Sequence, residues 1–345
     1  MRRQYLDLVV RRLKKGDWRF PFRAARSVSR AIRGEDQPLL GTLIVTYRCD
    51  LDCEMCDLPL RGDRKRELDT AGFRDVLDGF ADLGVLGVGI TGGEPLLRED
   101  LPELVAHGTR RGLLMHINTN GTLLDDSRVR ALADAGVASF NISLDGPDAE
   151  THDRLRGRTG SFQRVLRAAA RLIALPDRAY RVALTCALGE DNVSSVPALL
   201  ARARDVGVDR VGFLPVHELK GDQVSTRSVD SNGAMAALLE RCGQDPLLDN
   251  SQEYLGLFPM AYAGEKNPVA CVAPRTSVVV DCFGEIFPCV PLNAVRRPVG
   301  SGDVREVWRS DDYKAVRESL HSCRECFWNC HTEMNLALAR LGGRR

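Results

Sequence analysis

The sequence predicts an α/β protein whose larger part is a parallel sheet with helices packed outside it, and three observations carry this. Six short apolar runs recur at 43–47, 86–91, 113–118, 138–144, 180–187 and 208–215, each the length of a buried strand. Helical patterns fill the gaps at 69–83, 101–111, 127–135, 161–174 and 193–206. Gly84, Gly112, Gly136 and Gly207 follow four of them, and glycine takes the left-handed helix cap without steric cost. Strand and helix in alternation pair as a parallel sheet. Six units are too few for a closed eight-stranded barrel, so one wall is left for another part of the chain to cover.

Ahead of this core, which spans 39–225, residues 1–38 form a basic segment. Within its first 33 positions stand eleven Arg and Lys against Asp7 and Asp17; with a net charge of +1, the rest of the chain is acidic by eight charges. Leu6, Val9, Val10 and Leu13, then Ala25, Val28 and Ile32, follow helical spacing on either side of Trp18, Phe20 and Phe22. This reads as two amphipathic helices capping the open side of the core. An anionic membrane surface or an acidic or phosphorylated substrate is the alternative use of the basic face. The near-neutral total predicts no nucleic-acid partner. No run of eighteen apolar residues spans a bilayer and no apolar segment marks a signal peptide, so the expected location is cytoplasmic. After the core come an irregular stretch at 221–233 and a linker or helix over 226–249. A small cysteine-rich domain at 250–338, with a hairpin over 277–287, and a tail at 339–345 complete the chain.

Eleven cysteines in a chain of this size point to metal or catalysis and not to disulfides. Cys49, Cys53 and Cys56 stand at C-x3-C-x2-C spacing directly after the first strand. Three thiolates leave one iron of a four-iron cubane without a protein ligand, and an open coordination position is where chemistry happens. A zinc knuckle, or simply buried thiols, would be the plainer interpretations. The second strand runs into Thr91-Gly92-Gly93-Glu94, where the glycines permit close backbone approach and Glu94 offers an acceptor for a cationic amine. Asn118 ends the third strand, and Asn141, Ser143 and Asp145 the fourth. Thr185 lies on the fifth and His217 and Glu218 after the sixth, so these polar groups share one mouth. His152, Arg154 and Arg156 follow the fourth strand, as cationic partners for a carboxylate or as charges facing water.

With a Gly-Gly-Glu turn on the strand after C-x3-C-x2-C, the sequence resembles the radical S-adenosylmethionine (radical SAM) superfamily. The resemblance implies a partial (β/α)6 TIM-like barrel, with a [4Fe–4S] cluster on Cys49, Cys53 and Cys56 whose open iron chelates SAM. It places Gly92, Gly93 and Glu94 at the SAM amino group, and Ser143 and Asp145 near the ribose and carboxylate. Asn118, Asn141, Arg156 and Thr185 would stand around the same ligand. The residue before the third cysteine, often aromatic in that family, is Met55, whose polarizable thioether can pack on adenine.

Further on, Cys271, Gly284, Cys289 and then Cys323, Cys326 and Cys330 resemble the SPASM or twitch extension of such enzymes. A C-x5-C step and a final cysteine of the full SPASM pattern are absent. The resemblance therefore implies one auxiliary [4Fe–4S] cluster, held by Cys271, Cys289 and two of Cys323, Cys326 and Cys330. A four-cysteine zinc site is the alternative. Cys282 is spare, and Cys186 and Cys242 read as ordinary core or surface thiols.

The implied activity is reductive cleavage of SAM to a 5'-deoxyadenosyl radical that abstracts hydrogen from a substrate, with flavodoxin or ferredoxin as the type of electron donor. A small-molecule or natural-product substrate is the first expectation, because residues 1–38 are shorter than the leader-recognition domain of many peptide-modifying relatives. Modification of a peptide or protein is the alternative, and a non-catalytic iron–sulfur electron-transfer protein the third reading.

Overall fold

The computed structural model describes residues 16–56, 58, 66–220, 223–226, 240, 242–294 and 297–342. Six strands pair in chain order, all parallel: β1 (Leu40–Ile44), β2 (Gly87–Thr91), β3 (Leu114–Thr119), β4 (Ser139–Ser143), β5 (Arg181–Leu188) and β6 (Arg210–Pro215). Helix α1 (Phe20–Ile32) precedes them. The connections carry α2 (Thr70–Leu83), α3 (Leu101–Arg110), α4 (Asp126–Asp134), α5 (Ala149–Leu155), α6 (Ser161–Ala174) and α7 (Val196–Val206). Asp69, Asp125 and Asp148 start α2, α4 and α5, their carboxylates accepting from the first-turn N–H groups of Gly72, Arg128 and Thr151. Gly84, Gly112, Gly136 and Gly207 all take the left-handed conformation expected of them, with φ of 85°, 81°, 90° and 81°. Leu43, Ile90, Ile117, Ile142 and Leu184 from successive strands are fully buried in one shared core.

Two core elements differ from the sequence pattern. β1 ends at Ile44, although the apolar run continues to Tyr47. Val45, Thr46 and Tyr47 are equally buried; Val45 N–H still donates to Thr91 C=O at 3.0 Å, but Thr46 and Tyr47 leave the ladder to cross over the turn that follows β2. Residues 149–155, for which the sequence pattern offers no helix, form α5, with His152 and Leu155, three apart, both buried beneath it.

The cysteine-rich region adds to this sheet instead of standing beside it. β9 (Ser277–Val280) lies parallel to β1, with Leu40 opposite Ser277 and Leu43 opposite Val280. β10 (Glu285–Phe287) turns back on it through Gly284 at φ 77°, and β11 (Gly300–Ser301) follows, giving the order β11-β10-β9-β1-β2-β3-β4-β5-β6. Every residue of β9 is buried, as an uninterrupted Val278-Val279-Val280 run requires of a strand covered on both faces. The opposite edge, β6, is closed by an irregular segment. Asn250 lays its side-chain amide along the strand, accepting from Phe213 N–H at 2.6 Å and donating to Phe213 C=O at 3.0 Å, so the edge has no unpaired groups there. Beyond β6, β7 (His217–Lys220) and β8 (Gln223–Thr226) form a separate antiparallel pair where an irregular stretch is expected. The helix expected over 234–242 falls almost wholly outside the described residues.

The described part of the basic segment, α1, does not cap the open wall. Arg23 donates to Gly112 C=O at 2.6 Å and Ser27 to Gly84 C=O at 3.1 Å, which seats α1 on the helix ends that feed β2 and β3, at the floor of the barrel. Ala31 packs with Leu39 and with Leu338 of the C-terminal helix α8 (Asn329–Arg340). The first of the two expected N-terminal helices lies outside the described residues. Among the described residues no helix is long and apolar enough to cross a membrane.

Replacing Asn250 with Ala strips two partners from a buried strand edge, which costs about 2 kcal/mol. Urea denaturation of Asn250→Ala is expected to show a midpoint lowered accordingly with an unchanged slope, and an unchanged midpoint would mean that β6 is sealed by other groups.

Candidate active site

The chain leaving β1 reaches Cys49 by passing over the turn after β2. Gly93 N–H donates to Thr46 C=O at 2.9 Å and Glu94 N–H to Arg48 C=O at 2.8 Å. A Cβ on Gly92 would stand 2.2 Å from the Thr46 oxygen, and one on Gly93 2.2 Å from the Arg48 oxygen. The sequence suggests these glycines admit a ligand; their first use is to admit the backbone of the cysteine loop.

The loop is clamped from two further sides. The Asp50 carboxylate accepts from Asn120 Nδ2 at 2.7 Å and from the Thr122 hydroxyl, both on the loop after β3. On the other side Glu54 N–H donates to Leu155 C=O at 3.3 Å, and Arg158 donates to Asp50 C=O at 3.0 Å. Between them Gly157, at φ +64°, lies so close that a Cβ would be 1.9 Å from the Asp52 oxygen.

Cys49, Cys53 and Cys56 line one cavity together with Met55, Gly92, Gly93, Asn118, Ser143 and Arg156, all expected there. His217 lines it too, its Nδ1 at 2.8 Å from Pro215 C=O and its ring 5.1 Å from that of Trp328. The Glu218 side chain lies outside the described residues. Burial pushes the Cys49 thiol up to about 12 and also raises Cys53, where Arg156 opposes the shift. The Cys49 and Cys53 thiols therefore resist ionisation here until a cation or metal offsets the lost hydration.

Four residues of the expected set, Glu94, Asn141, Asp145 and Thr185, do not line the cavity. Glu94 is completely buried, with Oε1 accepting from Leu96 N–H at 3.0 Å and Thr119 Oγ1 at 2.7 Å, and Oε2 from Asn120 N–H at 2.8 Å. Its oxygens are engaged by protein donors, and it ties the β2 turn to the β3 turn. Burial nevertheless pushes its carboxyl up to about 7, against those hydrogen bonds. Asp145 is likewise completely buried, accepting from Ala187 N–H at 2.9 Å and pairing with Arg156 Nε at 2.7 Å. It holds Arg156 from behind the cavity wall. Burial works against the Arg156 charge, but Asp145 and Cys53 more than offset it and its pKa is raised. Asn141 sits behind Asn118, donating to its Oδ1 at 2.8 Å. Thr185 is the strand neighbour of Ser143 and gives its carbonyl to Leu144 N–H.

Of the cationic run after β4, only Arg156 reaches the cavity, with Nη1 3.8 Å from Cys53 Sγ. His152 is buried and accepts from Asp145 N–H at 3.1 Å. Arg154 is half exposed, 3.4 Å from Asp191 and 3.9 Å from Glu54. Thr119 and Asn120, which follow Asn118 in the polar Asn118-Thr119-Asn120-Gly121 end of β3, also line the cavity, as polar residues at strand C-terminal ends do.

In the C-terminal region Cys271, Cys289, Cys323, Cys326 and Cys330 gather in one place. Cys271 N–H donates to Cys323 C=O at 2.9 Å. Burial raises the thiols of Cys271, Cys289, Cys326 and Cys330, and negative charge on neighbouring members of the group raises them further. Cys282 stands apart, fully buried next to Asp281. Among the described residues no three His, Cys, Asp or Glu side chains are arranged to hold a single metal ion.

The sequence profile of the radical SAM superfamily matches residues 43–203, and that of an iron–sulfur cluster-binding domain, SPASM, matches residues 271–330. A PqqA peptide cyclase of Granulibacter bethesdensis is 35% identical over 308 residues, covering 84% of this chain and 80% of the relative. The chain belongs to the radical SAM superfamily. A second PqqA peptide cyclase, of Rhodopseudomonas palustris, is 37% identical over 312 residues, covering 84% of this chain and 79% of that protein. In fold, the chain is similar to Streptococcus suis SuiB bound to its precursor peptide SuiA, with a TM-score of 0.66 at 20% identity, covering 84% of this chain and 69% of the other.

This radical SAM protein is therefore an enzyme, with a SAM-binding [4Fe–4S] cluster, SAM and an iron–sulfur-binding C-terminal region. The residues present fit both groups: three thiols at one cavity beside a glycine turn and a cation, and five thiols gathered at a second place. Gly157→Ala forces a residue with a Cβ into a left-handed conformation against the Asp52 carbonyl, a strain of about 1–3 kcal/mol placed on the cysteine loop. The expected result after anaerobic iron loading is loss of the SAM-induced change in the visible spectrum, with iron retained in the C-terminal region; a wild-type spectral response would contradict the clamp.

Proposed function

We propose that the enzyme modifies a ribosomally made peptide, by cross-linking or oxidising its side chains. The observation that carries this reading is that peptide cyclases match along 84% of the chain at 35% and 37% identity. Nothing comparable favours the small-molecule substrate expected from the sequence, and the peptide reading takes its place.

In this reading Cys49, Cys53 and Cys56 hold the SAM-binding cluster, and Cys271, Cys289 and two of Cys323, Cys326 and Cys330 hold an auxiliary cluster. When bound, the first cluster and SAM supply the 5'-deoxyadenosyl radical that takes hydrogen from the substrate. The chain's own share is placement. Arg156, fixed by Asp145, presents a guanidinium suited to a carboxylate. Asn118 and Ser143 offer polar side chains across the cavity, and Met55 an apolar one. Gly92 and Gly93 bring backbone within reach of the same space. Cofactor and substrate held this way react as one complex, where orientation replaces encounter. The ring contact of His217 with Trp328, which lies between Cys326 and Cys330, joins the cavity wall to the second cysteine group. A flavodoxin- or ferredoxin-type protein supplies the reducing electron, in the cytoplasm.

The test is anaerobic incubation of the iron-loaded enzyme with SAM, dithionite and the short peptide encoded next to its gene, followed by mass spectrometry. The expected product is the peptide lacking two hydrogens, formed with 5'-deoxyadenosine and absent with Cys53→Ala. Release of 5'-deoxyadenosine with the peptide unchanged would overturn the peptide reading; its absence in both proteins would favour a non-catalytic iron–sulfur protein.

A further inference from the structure

A second concave surface lies on the outer wall between α4 and α6, and its chemistry differs from that of the cavity. Its floor is Thr122 to Asp125, and its sides are Arg128 from α4 and Arg164, Arg167 and Arg171 from α6. The three arginines of α6 are spaced i, i+3 and i+7, so they stand on one face of the helix. Arg128 is 3.3 Å from Asp125, and Arg171 is 3.2 Å from Asp126. Those two also donate to the carbonyls of Leu123 and Leu124, at 2.9 and 3.1 Å, so their heads are fixed. Arg164 and Arg167 are exposed and have no ion-pair or side-chain hydrogen-bond partner among the described residues. Four cations against two carboxylates leave this groove positive, although the chain beyond its first 33 residues is acidic overall.

Its position matters as much as its charge. Thr122, in the groove floor, donates to Asp50 next to Cys49, while Asn120, two residues earlier, lines the reaction cavity. The groove and the cavity therefore lie on two sides of one loop, and a chain running between them needs only a few residues at about 3.3 Å each.

We propose that this arginine groove docks an acidic segment of the peptide substrate, outside the part that is modified. The proposal rests on the reading of the enzyme as a peptide modifier. Guanidinium groups pair with carboxylates through a planar fork, two of the four are already oriented, and two have no carboxylate of their own. A run of Glu or Asp with the spacing of an extended chain or a helix would supply it. Docking of this kind raises the local concentration of the reacting segment at the cavity and speeds encounter, both in a salt-dependent way.

The test uses the full-length, iron-loaded enzyme and a fluorescein-labelled octaglutamate followed by anisotropy at low salt. Wild type is expected to bind the probe, with affinity falling as salt rises, and R164E/R167E to bind about tenfold or more weakly. R164K/R167K should retain part of the affinity. Far-UV circular dichroism and iron content equal to wild type verify that the reversal variant is folded. Octaglutamate that binds neither protein, or both equally, overturns the proposal, as does a single-stranded oligonucleotide of similar charge binding better than the peptide. With the peptide encoded beside the gene, R164E/R167E should raise KM and leave kcat unchanged. Wild-type KM in that variant removes the docking role while the peptide reading stands; no peptide turnover by either enzyme removes the peptide reading, and the octaglutamate result still decides the groove.

Discussion

The structure depends on a backbone-to-backbone contact. The carbonyls of Thr46 and Arg48 lie against Gly92 and Gly93 with no room for a single Cβ between them. Everything that places the three cysteines starts there, because the chain must leave β1 early, cross the turn after β2 and arrive over the mouth of the barrel with Cys49 facing inward. A parallel sheet presents its loops at the C-terminal ends of its strands, but the sheet alone does not hold the loop that carries Cys49 to Cys56 in one shape. Two glycines on one side, Gly157 on another and the Asp50 carboxylate on a third turn that loop into a rigid platform, as a site for a cluster must be.

Buried charge at the site holds its neighbours in position. Asp145 and Glu94 are both completely enclosed, and burying a carboxylate is costly unless its oxygens are matched. Asp145 is matched by Ala187 N–H and Arg156, and Glu94 by three donors from the β2 and β3 turns. The result is that the groups left at the cavity wall are fixed ones: a guanidinium beside Cys53, the Asn118 amide held by Asn141, and the thiols themselves. The C-terminal region takes part in the same framework. β9 completes the sheet beside β1, and Tyr47 OH, 3.0 Å from Asp281 Oδ2 and 2.9 Å from Asn293 Nδ2, fastens the start of the cysteine loop to it.

Much of this was legible in the sequence because it is local. Helix caps at Gly84 and Gly207, strands as unbroken apolar runs, and C-x3-C-x2-C all follow from residues near one another. What was not legible depends on partners far apart in the chain. That Glu94 faces Thr119 and Asn120, or that Asp145 is spent on Arg156, requires knowing which strand ends meet and at what register. The docking of β9 against β1, 237 positions away at Leu40 and Ser277, is of the same kind. So is the seat of α1, whose amphipathic stripe was visible while its receptor, two helix ends on the barrel floor, was not. Substrate choice is less legible still, since the motifs at the strand ends carry no substrate signal and the groove proposed to recognise a peptide lies on the far side of the β3 loop.

If Cys49, Cys53 and Cys56 form a SAM-responsive site separate from the C-terminal cysteines, Mössbauer spectroscopy with iron quantitation of the anaerobically loaded protein will resolve the two. At four irons per cubane, wild type should hold about eight irons and the Cys49→Ala, Cys53→Ala, Cys56→Ala triple variant about four, with the SAM-induced change in the spectrum abolished. A triple variant that keeps its SAM-induced change, or loses all of its iron, would contradict the account.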